Sequence, residues 1–146
     1  PAGKLDKTSL ISAVDLLPTF CEIAGAKLPA GYQLDGISQV SVLKGNPTTT
    51  RTKPLFWKMS NAWPPKKSAP CHWVSYTIVD GPWKLLTNRD GSHAELYNIV
   101  TDALEENDLA KTSPEVVTEL TTKLEAWKTS LPAKPTGNVF SSERSK

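Results

Sequence analysis

The sequence predicts an α+β unit: a leading helix, a four-stranded antiparallel sheet and a long closing helix. Three observations predict it. Four short apolar runs lie between residues 54 and 99, and tight turn signals separate the last three. Short connections force antiparallel neighbours. An amphipathic pattern then recurs at helical spacing from Val116 to Leu131.

The leading arm, residues 1–10, reads as extended. Ser12 and Asp15 are both candidate N-caps. Pro18 favours a start near Asp15, because proline is tolerated in a first turn and removes a hydrogen bond further in. Val14, Leu17, Phe20, Cys21 and Ala24 form the expected buried stripe. Leu16 and Ile23 lie partly off it, so both flanks suit cover inside a larger protein. Gly25 stops the helix. Residues 26–36 form a loop, and Ser38 to Lys44 one or two helical turns with Ser38 as cap and Gly45 as stop. Residues 46–53 are a polar linker.

The expected strands are Pro54–Met59, Trp73–Val79, Trp83–Thr87 and Ala94–Ile99. Pro64, Pro65 and Pro70 keep the 60–71 segment a loop. Asp80-Gly81 and Asn88-Arg89-Asp90-Gly91 are turns. Asp102–Ala110 reads as a short, weakly helical acidic segment. Ser113 caps the closing helix, Pro114 takes its first position, and Val116, Leu120, Leu124, Trp127 and Leu131 face the sheet. Trp57, Trp73, Trp83 and Trp127 are expected in the core between sheet and helix. Residues 132–146 form a polar tail.

Composition narrows the function classes. The chain has 146 residues and a net charge of +2, enough for one domain with arms. Lysines and arginines are scattered, with no basic stripe for nucleic acid. No run of about 18 apolar residues suggests a membrane span. The polar start, Pro1-Ala2-Gly3-Lys4, carries no signal peptide and reads as the middle of a longer chain. With two cysteines, no disulfide scaffold is expected. Nothing in the spacing brings Cys21 and Cys71 together, and no Cys/His spacing suggests zinc.

Several segments in fixed order carry a resemblance. They are Asp15-Leu16-Leu17-Pro18-Thr19 followed by Ala24-Gly25, then Leu34-Asp35-Gly36-Ile37, then Val42-Leu43-Lys44-Gly45. Asp80-Gly81-Pro82-Trp83-Lys84-Leu85 and Glu95-Leu96-Tyr97-Asn98-Ile99 follow, with Asp102, Glu105, Leu109 and Ala110 behind them. Over residues 1 to 130 the chain resembles the C-terminal region of a formylglycine-dependent sulfatase, of the arylsulfatase or N-acetylgalactosamine-6-sulfatase type, in the alkaline phosphatase superfamily. Val79, Ala103 and Asp108 depart from that pattern at turns and surface.

The resemblance implies three parts. Residues 1–50 are a connecting segment with a helix from the main sulfatase domain, residues 51–131 the C-terminal subdomain, and 132–146 a tail. It implies sulfate-ester hydrolysis by the parent enzyme on sulfated carbohydrate or aryl sulfate. The formylglycine nucleophile, from a Cys/Ser-x-Pro-x-Arg motif, and a calcium ion are then expected in an N-terminal part outside this chain. Neither Cys21-Glu22-Ile23-Ala24 nor Cys71-His72-Trp73-Val74 matches that motif. No catalytic residue, metal ligand or cofactor is therefore expected here, and the isolated chain is expected to be inactive. Expected partners are the N-terminal sulfatase domain and a sulfated small molecule or glycan, with neither nucleic acid nor membrane. An exported location is implied.

What the chain can offer is a pocket rim. Alternate connections of a meander share one end, so the 60–72 loop and the 88–93 turn lie together. Candidate substrate-binding residues there are His93, His72, Trp63, Asn61 and Lys58. Trp suits the face of a sugar, and Lys or His an anionic group. Each has a plainer reading: His93 and His72 as exposed strand residues, Trp63 as packing on its own loop. Two other functions stay open, a free-standing module that binds an anionic glycan, and part of a related phosphoester or phosphonate hydrolase.

Overall fold

A computed structural model describes residues 3, 5–6, 9–46, 51–59 and 75–132. A 3₁₀ turn at Ala13–Asp15 leads into α1 (Leu16–Ala24), and α2 (Val40–Leu43) follows. The sheet comprises β1 (Leu55–Lys58), β2 (Tyr76–Asp80), β3 (Trp83–Thr87) and β4 (Ala94–Asn98), and α3 (Pro114–Ser130) is the last described element. The strands run antiparallel in the order β1-β2-β3-β4. Expected strand residues Trp73 and Val74 lie outside the described residues.

Alternation along the strands divides the two faces. Tyr76, Ile78, Leu85 and Leu96 point to α3 and meet Leu120 and Leu124; four of these six side chains are wholly buried. Phe56 and Trp127 stack at the β1 side, with ring centroids 4.9 Å apart and planes 7° apart. Tyr76 meets Trp127 edge-on, and the Lys128 ammonium lies 4.6 Å above the Tyr76 ring. These contacts continue the α3 stripe toward its C-terminal end.

Trp83 and Trp127 pack against this core as expected. Trp57 does not. One residue after Phe56, it points to the opposite face and stays 41% exposed. Trp73 lies outside the described residues.

The stripe on α1 also differs from expectation. Val14, Leu17 and Phe20 are exposed, with Phe20 at 59%. The buried side chains are Asp15, Pro18 and Thr19. This face turns toward the 34–39 segment because it carries the polar partners that segment needs, as the hydrogen bonds below show. Gly25 ends α1 at φ 62, as its sequence position predicts. The Ser38 hydroxyl accepts from the Val40 N–H at 3.3 Å, and Gly45 (φ 87) stops α2.

Residues 102–110 form turns in place of the expected weak helix. The reason is local. The Asp102 carboxylate accepts from the N–H groups of Glu106 (3.2 Å) and Asn107 (2.8 Å). Asp108 Oδ1 accepts from Leu96 and Ala110. Short polar side chains that take up backbone donors compete with a helix. The Leu109 N–H then donates to the Leu96 carbonyl at 2.7 Å, docking the segment on β4.

Candidate functional site

The topology puts Lys58, at the end of β1, and His93, before β4, at the same end of the sheet. They do not come together. β1 and β4 are opposite edges, three strand spacings or about 14 Å apart. Lys58 shares the α3 face with Phe56, whereas His93 pairs with Glu95 on the other face. Asn61, Trp63 and His72 lie outside the described residues.

His93 is half-exposed, and its Nε2 lies 2.8 Å from Glu95 Oε1. The Tyr97 hydroxyl donates to Glu95 Oε2 at 3.2 Å. One carboxylate thus bridges three alternate positions of β4. Burial, and then the Glu95 charge, pushes the Tyr97 phenol up to about 12. It stays a neutral donor at physiological pH. Sequence reasoning singled out His93 but not its bridge. The i, i+2, i+4 spacing of His93, Glu95 and Tyr97 was the available signal.

On the same face, Lys84 sits opposite Tyr97. Its ammonium donates to both carboxylate oxygens of Glu105 at 2.6 and 2.8 Å. A groove of about 460 Å³ opens beside it, lined by Leu10, Trp57, Met59, Thr77, Val79 and Ile99 among others. Its chemistry is mainly apolar, with the Lys84–Glu105 pair in one wall.

Among the described residues the most completely formed polar centre lies elsewhere. Asp15 is 1% exposed. Arg51 grips it in a fork, Nη1 to Oδ2 at 2.8 Å and Nη2 to Oδ1 at 2.9 Å. The N–H groups of Ser12 and Ile37 each donate to it at 2.9 Å, and Gln39 Nε2 adds a bond at 3.2 Å. Thr19 Oγ1 donates to the Asp15 carbonyl and accepts from the Gln39 N–H. Burial would raise the Asp15 carboxyl. The bonds from Arg51, Ile37 and Ser12, with the Arg51 charge, outweigh it and hold the group below its ordinary value.

This centre explains two motifs. Asp15 and Thr19 of Asp-x-x-Pro-Thr are one polar cluster spaced by a helical turn. Gly36 of Asp35-Gly36 is not needed for a left-handed turn. A Cβ there would meet the Val14 carbonyl oxygen at 2.0 Å and the Asp15 nitrogen at 2.8 Å. The other two Asp-Gly pairs are turns, with Gly81 at φ 56 and Gly91 at φ 73.

The described carboxylates do not fit a calcium site. Asp15 is held by Arg51, Asp80 by Lys123 and Glu105 by Lys84. Among the described residues no cluster of three or more His, Cys, Asp or Glu could hold a metal ion. No described helix is long and apolar enough to cross a membrane. Cys21 is a half-buried free thiol.

No family model matches the chain. Individual proteins do. A protein named sulfatase from Formosa agariphila is 30% identical over 134 residues, 86% of this chain and 24% of that protein. Arylsulfatase K of Xenopus laevis is 30% identical over 122 residues, 80% of this chain and 22% of its own length. N-acetylgalactosamine-6-O-sulfatase of Bacteroides thetaiotaomicron is 27% identical over 135 residues, 83% and 24%. The chain thus spans about a quarter of the length of these relatives.

Among solved structures, Ps i-CgsB in complex with a neocarrahexaose matches 80% of this chain and 24% of its own, at TM-score 0.59 and 27% identity. A 2-O GAG sulfatase shares the fold at TM-score 0.53, over 79% of this chain and 24% of its own, with 24% identity. In sequence and in fold, the chain matches the C-terminal region of the sulfatases.

Proposed function

We propose that the chain is the C-terminal part of a formylglycine-dependent sulfatase that hydrolyses sulfate esters of carbohydrates or aryl alcohols. The match to proteins named sulfatase, arylsulfatase K and N-acetylgalactosamine-6-O-sulfatase over four-fifths or more of the chain carries this reading. In it, the nucleophile and the calcium ion belong to the preceding three quarters of the protein. That part also covers the apolar side chains of α1, such as Phe20 and Ile23, which are 59% and 62% exposed here. The protein is exported, as sulfatases of this kind are.

The chain's own contribution is a rim. The loop-bearing end of the sheet faces the substrate, and among the described residues His93, hydrogen-bonded to Glu95, is its best-placed polar group. With Nε2 donating to that carboxylate, the neutral ring keeps Nδ1 as an acceptor for a substrate hydroxyl, and the protonated ring donates there to a sulfate oxygen. Titration of the 146-residue chain with sulfated oligosaccharides tests the division of labour. One wall of a pocket gives no saturable binding. Tight binding that His93→Ala abolishes would favour a free-standing glycan-binding module instead.

A further inference from the structure

The described residues form two packed parts. α1 packs on the 3₁₀ turn and α2, while α3 packs on β2 and β3. A groove of about 560 Å³ runs between the parts, lined by Val14, Leu34 and Asp35 on one side and by Leu55, Phe56 and Trp127 on the other. Side-chain packing along this groove does not fill the joint. Polar contacts reach across it: Arg51 to Asp15, and Lys53 to the Leu34 carbonyl.

We propose that Arg51 is a positioning residue, a clasp that fixes the angle between the leading helix and the sheet and so sets where the loop-bearing end of the sheet meets substrate. The consequence for substrate rests on the sulfatase reading; the clasp itself rests on geometry. A planar guanidinium in a two-point fork fixes orientation as well as distance, which a lysine cannot do. The acceptor cannot turn, because Ser12, Ile37 and Gln39 hold the same two oxygens. The missing side chain of Gly36 lets the 34–39 segment lie against Val14 and Asp15, where the Ile37 and Gln39 hydrogen bonds hold it. Arg51 itself is four residues before Leu55, which opens β1 and pairs with Val79. A rotation at Arg51 therefore swings the whole sheet.

The test uses the 146-residue chain with Cys21→Ser and Cys71→Ser, and spin labels attached through Glu22→Cys on α1 and Glu125→Cys on α3. Pulsed dipolar spectroscopy gives the distance distribution. The expected result is one narrow distribution, broadened in the double variant Asp15→Asn/Arg51→Met while the circular dichroism of the sheet and α3 persists. Arg51→Lys, which keeps the charge, broadens it less and supplies the answer if the double variant does not fold. A distribution unchanged in every folded variant overturns the clasp.

In the complete protein, Arg51→Lys is expected to raise KM for a sulfated glycan roughly tenfold, about one charge-assisted contact, with kcat on a small aryl sulfate unchanged. An equal fall in both kcat values would mark a general structural role and overturn the positioning claim. If the unsubstituted complete protein releases no sulfate while the distances still broaden, the sulfatase reading fails and the clasp stands. Intact hydrolysis with unbroadened distances gives the reverse.

Discussion

The backbone of Gly36 lies so close to Val14 that a single added carbon would sit 2.0 Å from the Val14 carbonyl oxygen. That carbonyl belongs to backbone, which cannot step aside as a flexible side chain would. Gly36→Ala is therefore expected to cost roughly 3 kcal/mol, the upper range for overpacking. Gly91, in open space at φ 73, makes the control. Gly91→Ala pays only for the left-handed conformation, about 1–2 kcal/mol. Urea denaturation of the two variants should rank them in that order, and the reverse order would contradict the close approach.

The acid limb of stability should carry the signature of Asp15. Its carboxyl is held below its ordinary value of 3.8 when folded. The folded state therefore binds that proton less readily than the unfolded chain. Its contribution is complete above the unfolded value and is lost as pH falls through the folded one. Melting temperature should fall steeply below about pH 4 for the parent chain. Asp15→Asn should flatten this limb and cost roughly 3 kcal/mol at pH 7, because it leaves Arg51 buried without a counter-charge.

Leu124 is wholly buried between α3 and the sheet. Leu124→Ala removes its methyl groups and leaves a cavity, so about 2–5 kcal/mol should be lost in denaturant unfolding. Leu104 is 79% exposed, and Leu104→Ala should stay within roughly 0.5 kcal/mol. Equal effects would mean that α3 does not sit on this sheet face.

Glu105 holds a backbone φ of 57, in the left-handed region, while its carboxylate takes both contacts from Lys84. The pair is partly exposed, at 24% and 33%, so the ion pair is worth about 0–1 kcal/mol. Glu105→Gly loses that contact and relieves a comparable strain, so stability should change by less than about 1 kcal/mol. Glu105→Val keeps the strain with a β-branched side chain and should cost at least about 2 kcal/mol. Thermal melts of the two variants separate these cases.

The sheet and closing helix were legible because their signals are local. Asp80-Gly81 and Asp90-Gly91 mark the turns, alternation marks β2 to β4, and Leu120 and Leu124 mark the buried side of α3. The leading helix misled for a physical reason. Its apolar side chains outnumber its polar ones, yet the side that packs is Asp15, Pro18 and Thr19, whose partners Ile37, Gln39 and Arg51 lie 20 to 36 positions away. No periodicity reports a hydrogen bond over that separation. Trp57, expected in the core, is sent to the other face by its place beside Phe56. The place of His93 just before β4 follows from the turn that precedes it, while its bridge through Glu95 to Tyr97 depends on side-chain positions that residue types alone do not specify.

Sulfate release is the most direct test of the central claim. The complete protein and the 146-residue chain are assayed in parallel against a chromogenic aryl sulfate and a sulfated oligosaccharide. The account predicts turnover of at least one substrate by the complete protein and none by the chain. Turnover by the chain alone, or a complete protein that cleaves phosphate esters and no sulfate ester, would contradict it.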